Sequence, residues 1–175
     1  GRMMSTQHEP PLPEDVEPGV LIAGAIPGGD PSVLRHASAL AQAMDAPLLV
    51  VHVDTTIEID LPDPDGYVRP VLEALRRGEA DLEIVRREAK SVLEQTSVEW
   101  TVVQVAGDPA MALHHLAERY HASMFIVGTR RGDIGDAVRE FLDGSVALRL
   151  TRHQSRPVVV IPTGVIHPWH IERDG

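Results

Sequence analysis

Two near-continuous apolar runs constrain this chain most: Ser123 to Val127, ending at Gly128, and Pro157-Val158-Val159-Val160-Ile161-Pro162. Unbroken apolar runs of strand length indicate strands covered on both faces, as in a parallel sheet between helices. Gly19 to Ala25 and Leu48 to Val53 repeat the signal, and Val98 to Ala106 alternates in part, which suits an edge. Helical patterns separate the runs, so strand and helix recur four times before a final strand. The fold class is α/β, a doubly wound five-stranded parallel sheet with helices on both faces and right-handed crossovers. Such sheets bind ligands past the strand ends, here beyond Gly128.

Two of the strand-to-helix junctions are built alike. Gly29-Asp30-Pro31 and Gly107-Asp108-Pro109 each supply a glycine to leave the strand, an aspartate cap and a proline at the first helical position. After the first, Val33, Ala37, Leu40, Ala41 and Met44 form an apolar stripe at helical spacing. After the second, Leu113, Leu116, Ala117 and Tyr120 are expected to face the sheet. Residues 69 to 96 are helical in pattern, with Leu82, Val85, Ala89 and Val92 on one face and Gly78 as an expected break. A helix from Ser145 to about Gln154 ends in cations that suit its C-terminus. Residues 1–18 read as a disordered arm, 55–68 as a solvated acidic loop, and 163–175 as a tail outside the domain of 19–162.

The charge is −10, with Lys90 alone against fifteen arginines. An acidic chain without a basic block is poorly suited to nucleic acid, and Lys90 lies mid-helix, away from any phosphate loop. There is no cysteine, which excludes disulfides, thiolate catalysis and Cys-based zinc sites. No apolar run approaches the ~20 residues of a membrane span. A cytoplasmic location without membrane partners is expected.

The ordered motifs carry a resemblance. Leu-Arg-His-Ala-Ser-Ala-Leu-Ala (34–41), Leu-Leu-Val-Val-His-Val (48–53), Gly107-Asp108-Pro109-Ala110, Phe125-Ile126-Val127-Gly128-Thr129, Gly144-Ser145-Val146-Ala147 and Arg156 to Pro162 together resemble the universal stress protein superfamily. The resemblance implies strand order 3-2-1-4-5, a homodimer through the last strand (Val158, Val159, Val160, Ile161), and in many members ATP. It places a nucleotide at Ala25, Val53, Gly128, Thr129, Arg130, Arg131, Gly132, Gly144, Ser145 and Val146.

Three departures bear on that ligand. The family's adenine-binding aspartate aligns with Ala25, the second glycine of its Gly-x-x-Gly motif with Arg131, and the loop to Gly144 is three residues longer than the pattern. Losing a charged hydrogen bond costs about 1.5 to 3 kcal/mol, and an arginine Cβ disfavours the glycine backbone conformation. The first reading is a non-catalytic dimeric stress-response protein with a degenerate pocket, no cofactor and an unknown protein partner. The alternative is a regulator binding ATP or another nucleotide through Arg130, Arg131 and the Gly144-Ser145 helix start.

Other constellations read as structural. His114 and His115 are adjacent and point to different helix faces, and no His-Glu-x-x-His is present, so no metal site is expected. His52, in a buried-type strand, is expected as a core histidine with its hydrogen bonds satisfied. Ser145 lies in Asp-Gly-Ser-Val-Ala rather than a nucleophile elbow, so no catalytic residue is assigned.

Overall fold

A computed structural model of the chain describes residues 12–55, 68–129, 145–163 and 169. The elements in order are β1 (Leu21–Gly24), α1 (Pro31–Ala43), β2 (Leu48–Asp54), α2 (Val68–Leu93), β3 (Trp100–Ala106), α3 (Pro109–Tyr120), β4 (Met124–Gly128), α4 (Ser145–His153) and β5 (Val158–Ile161). All strand pairs are parallel, in the order β3-β2-β1-β4-β5. The partly alternating β3 is an edge, as its sequence suggested. The order reverses between β1 and β4, which opens a crevice at their C-terminal ends.

Alternation along the strands divides the core in two. Val20, Ile22, Leu49, Val51, Val103, Phe125 and Val127 pack with residues of α3 and α4. Leu21, Ala23, Leu48, Val50, Ile126 and Ile161 pack with residues of α1 and α2. Phe125 is fully buried, and its truncation to alanine would cost about 3 to 5 kcal/mol through lost contact and a residual cavity. Among the described residues no helix is long and apolar enough to cross a membrane.

The helices differ from expectation in three places. α1 stops at Ala43, so Met44 is the C-cap and is 45% exposed, while Leu34 and Ser38 join the buried face. Burial of Ser38 is tolerated because its hydroxyl donates to the Arg35 carbonyl at 2.9 Å. α2 is one helix through Gly78, not two. A Cβ on Gly78 would lie 2.6 Å from Asp54 Oδ2 and 3.1 Å from Gln104 Nε2. The glycine therefore lets α2 approach the sheet; the ~1 kcal/mol it costs in helix propensity is offset by packing.

At the opposite end of the sheet, Tyr120 Oη donates to the Pro13 carbonyl at 2.7 Å. Leu12 and Val16, from the segment read as a disordered arm, pack against the α3 side of the core. The loop expected at 55–68 lies almost wholly outside the described residues.

Candidate functional site

The crevice is built from strand ends. β1 lies between β2 and β4, with Gly24 opposite Val51 and Ala23 opposite Ile126. Ala25 N–H continues the ladder by donating to the Val51 carbonyl at 2.8 Å. Carried one and two residues further, these registers bring Ala25 level with His52 and with Gly128. Ala25 is half-buried and packs with the α1 side of the core, whereas Val53 packs with the α3 side. The two residues thus share one end of the sheet but send their side chains to opposite faces.

Gly128 and Thr129 follow from close packing. A Cβ on Gly128 would sit 2.8 Å from Val33 Cγ2 and 3.4 Å from Thr163 Cγ2, so α1 and the chain leaving β5 need a glycine there. Thr129 N–H donates to the Ile161 carbonyl at 2.9 Å, and its hydroxyl oxygen accepts Thr163 N–H at 3.0 Å. The main-chain donor immediately past β4 is therefore engaged with the end of β5. Arg130, Arg131, Gly132 and Gly144 lie outside the described residues.

α4 begins at Ser145, and Val146 packs half-buried against the α3 side of the core. Ala147 and Leu150 of α4 are buried in the same core, and Arg149 ties the helix to α3, its Nη1 donating to Oδ1 of the cap Asp108. Asp108 Oδ2 accepts Met111 N–H at 3.0 Å in the same arrangement. The Arg149 hydrogen bond holds the Asp108 carboxyl below its ordinary value of 3.8, against the opposing effect of burial, and the same bond raises Arg149. Chemically, the strand-end donors Ala25 N–H and Thr129 N–H are engaged within the sheet, and the part of the described site whose chemistry suits an anion is the start of α4, on the helix braced by the ion pair.

Sequence reasoning missed Asp54, Gln104 and Thr163. Asp54 is 2% exposed and sits under Gly78. A short polar residue ending an apolar strand was the available signal. His52 is 4% exposed, as expected of a core residue, but its Nδ1 has no hydrogen-bond partner among the described residues, contrary to the expectation that it would be satisfied. The rings of His114 and His115 are 6.1 Å apart and tilted. Among the described residues no group of three or more His, Cys, Asp or Glu could hold a metal ion. On the β5 edge, Val160 is 42% exposed, Val158 and Val159 are half-buried, and Ile161 is buried in the core.

Solved structures share this architecture. Universal stress protein UspA from Lactobacillus plantarum is similar with a TM-score of 0.65 at 18% identity, over 84% of this chain and 99% of that one. A universal stress protein family member from Burkholderia pseudomallei gives 0.55 at 25% identity, over 83% and 96% of the two chains. A universal stress protein solved in complex with cAMP gives 0.51 at 22% identity, over 85% and 99%. No curated protein matches the sequence. The family model described as "Universal stress protein family" matches residues 26–162, which takes in eight of the nine described elements, and the chain belongs to that family.

Proposed function

We propose that the chain is a non-catalytic, dimeric stress-response protein whose nucleotide pocket has degenerated, so that it does not hold ATP tightly. The observation that carries this reading is Ala25: the end of β1, level with Gly128 across the crevice, presents a methyl group. A methyl cannot accept a hydrogen bond from a base, and the loss is worth about 1.5 to 3 kcal/mol. The engagement of Thr129 N–H by Ile161 supports it further, since that donor is already used within the protein. Dimerisation through β5 is supported by its place at the sheet edge and by exposed Val160, an arrangement prone to pair with another strand. Titration with Mg-ATP by calorimetry tests the pocket, and submicromolar binding would overturn the reading. Light scattering at micromolar concentration tests the dimer, which a monomer would contradict.

A second reading is favoured by one observation, the cAMP complex of a similar protein. Under it, the chain is a regulator whose phosphate-binding end is the Gly128 loop with Arg130 and Arg131 and the start of α4, holding a nucleotide with a smaller phosphate group than ATP. Thermal shifts across adenine and guanine nucleotides, cyclic ones included, separate the two readings. A shift with any of them favours the second, and none with all of them removes it.

A further inference from the structure

His52 and Gln104 are partners in the β2–β3 register, so their side chains leave neighbouring strands on the same face, the face covered by α2. His52 is 4% exposed. His52 Nδ1 and Gln104 Oε1 are both shut off from solvent, and neither has a hydrogen-bond partner among the described residues. The Gln104 carboxamide lies close beneath α2, with Nε2 3.1 Å from where a Gly78 Cβ would be. Asp54, two residues beyond His52 on the same face, adds a carboxylate that is 2% exposed. The surroundings are therefore polar on the sheet side and closed by a helix above.

We propose that the C-terminal ends of β2 and β3 hold one internal water molecule that donates one hydrogen to His52 Nδ1 and the other to Gln104 Oε1. Native proteins rarely leave buried polar atoms unpaired, and an internal water with two or more polar partners is the usual remedy. With the His52 proton on Nε2, Nδ1 and the Gln104 carbonyl oxygen are both acceptors and cannot bond to each other directly. A molecule with two O–H groups satisfies both at once. The bridge requires the His52 tautomer that carries its proton on Nε2. It would tie together the two strand ends beside Val53, on the face opposite the Val53 side chain.

The test is a high-resolution crystal structure of the full chain together with nitrogen-15 spectra of its histidines. The expected result is one fully occupied water within about 3 Å of both atoms, with His52 Nδ1 unprotonated and accepting. In Gln104→Leu the water loses one acceptor, and the His52 Nδ1 resonance is expected to move toward that of an unbonded imine nitrogen. A direct His52–Gln104 hydrogen bond, a proton on Nδ1, or no density between the two side chains would overturn the proposal. An unchanged Nδ1 resonance in Gln104→Leu would do the same.

Discussion

The two Gly-Asp-Pro junctions look interchangeable in sequence and are not so in space. At the first, Asp30 Oδ1 accepts Ser32 N–H at 2.9 Å and the carboxylate caps α1. The turn before it is held by α2, whose Glu88 Oε1 accepts Gly28 N–H at 2.8 Å. At the second, Asp108 caps α3 with one oxygen and binds Arg149 of α4 with the other. The left-handed glycine also moves: Gly28, two residues before the cap, has φ +70°, whereas Gly107, immediately before the cap, has φ +122°. Identical local chemistry thus receives its tertiary tie in one case from a carboxylate on a neighbouring helix, and in the other from a cation on the helix that opens the candidate site. Caps are local and legible; what a cap is tied to depends on residues 41 to 60 positions away.

The widest separation between the junctions is expected at their glycines. Among the described residues, chain neighbours aside, no atom lies within 4 Å of the Cβ position at either Gly107 or Gly28, so alanine meets only backbone strain. Gly107→Ala should destabilise by about 2 to 3 kcal/mol and Gly28→Ala by about 1 to 2, because φ near +70° is open to L-residues at a cost and φ near +122° is nearly closed to them. Denaturant titration of both variants checks the order, and equal losses would erase the distinction.

The caps come next. Asp30→Ala should cost about 1 kcal/mol, the usual value of an N-cap. Asp108→Ala should cost about 1.5 to 2 kcal/mol, since it also removes the Arg149 bond, discounted because Arg149 is 40% exposed. A double-mutant cycle of Asp108→Ala with Arg149→Met should show favourable coupling between the two positions. Additive losses would mean that α4 is held by other contacts.

Acid should produce the smallest difference. Both caps have carboxyl values below the ordinary 3.8, Asp30 chiefly through the Ser32 backbone bond and Asp108 chiefly through Arg149. A depressed folded value means that the stabilisation is fully present above the unfolded value and is lost as pH falls through the folded one. Stability should therefore decline below about pH 4, and Asp108→Asn should flatten that decline more than Asp30→Asn. The reverse order in pH-dependent thermal melts would contradict the account.

The same division explains what could be read in advance. The strands and their order of burial were legible because Leu48 to Val53 and Met124 to Val127 are covered on both faces and admit few polar residues. The expected stripe on α1 failed at Met44, because the helix stops one residue earlier and nothing in the local pattern separates Met44 from Leu34. Gly78 failed for the opposite reason: propensity predicts a break, while the Asp54 carboxylate beneath α2 requires the missing Cβ. At the candidate site, motif order singled out Ala25 and Gly128, and the β1–β4 register sets the two level. The bonds from Thr129 to Ile161 and Thr163 were not, since they join residues 32 and 34 positions apart. Arg130, Arg131, Gly132 and Gly144 lie outside the described residues.

The most direct test of the proposed function is a calorimetric titration of Mg-ATP into the native chain and into Ala25→Asp. The account predicts no saturation of the native chain at micromolar ATP and a gain of about tenfold to hundredfold in affinity on restoring the carboxylate. Submicromolar binding by the native chain, unchanged in Ala25→Asp, would contradict it.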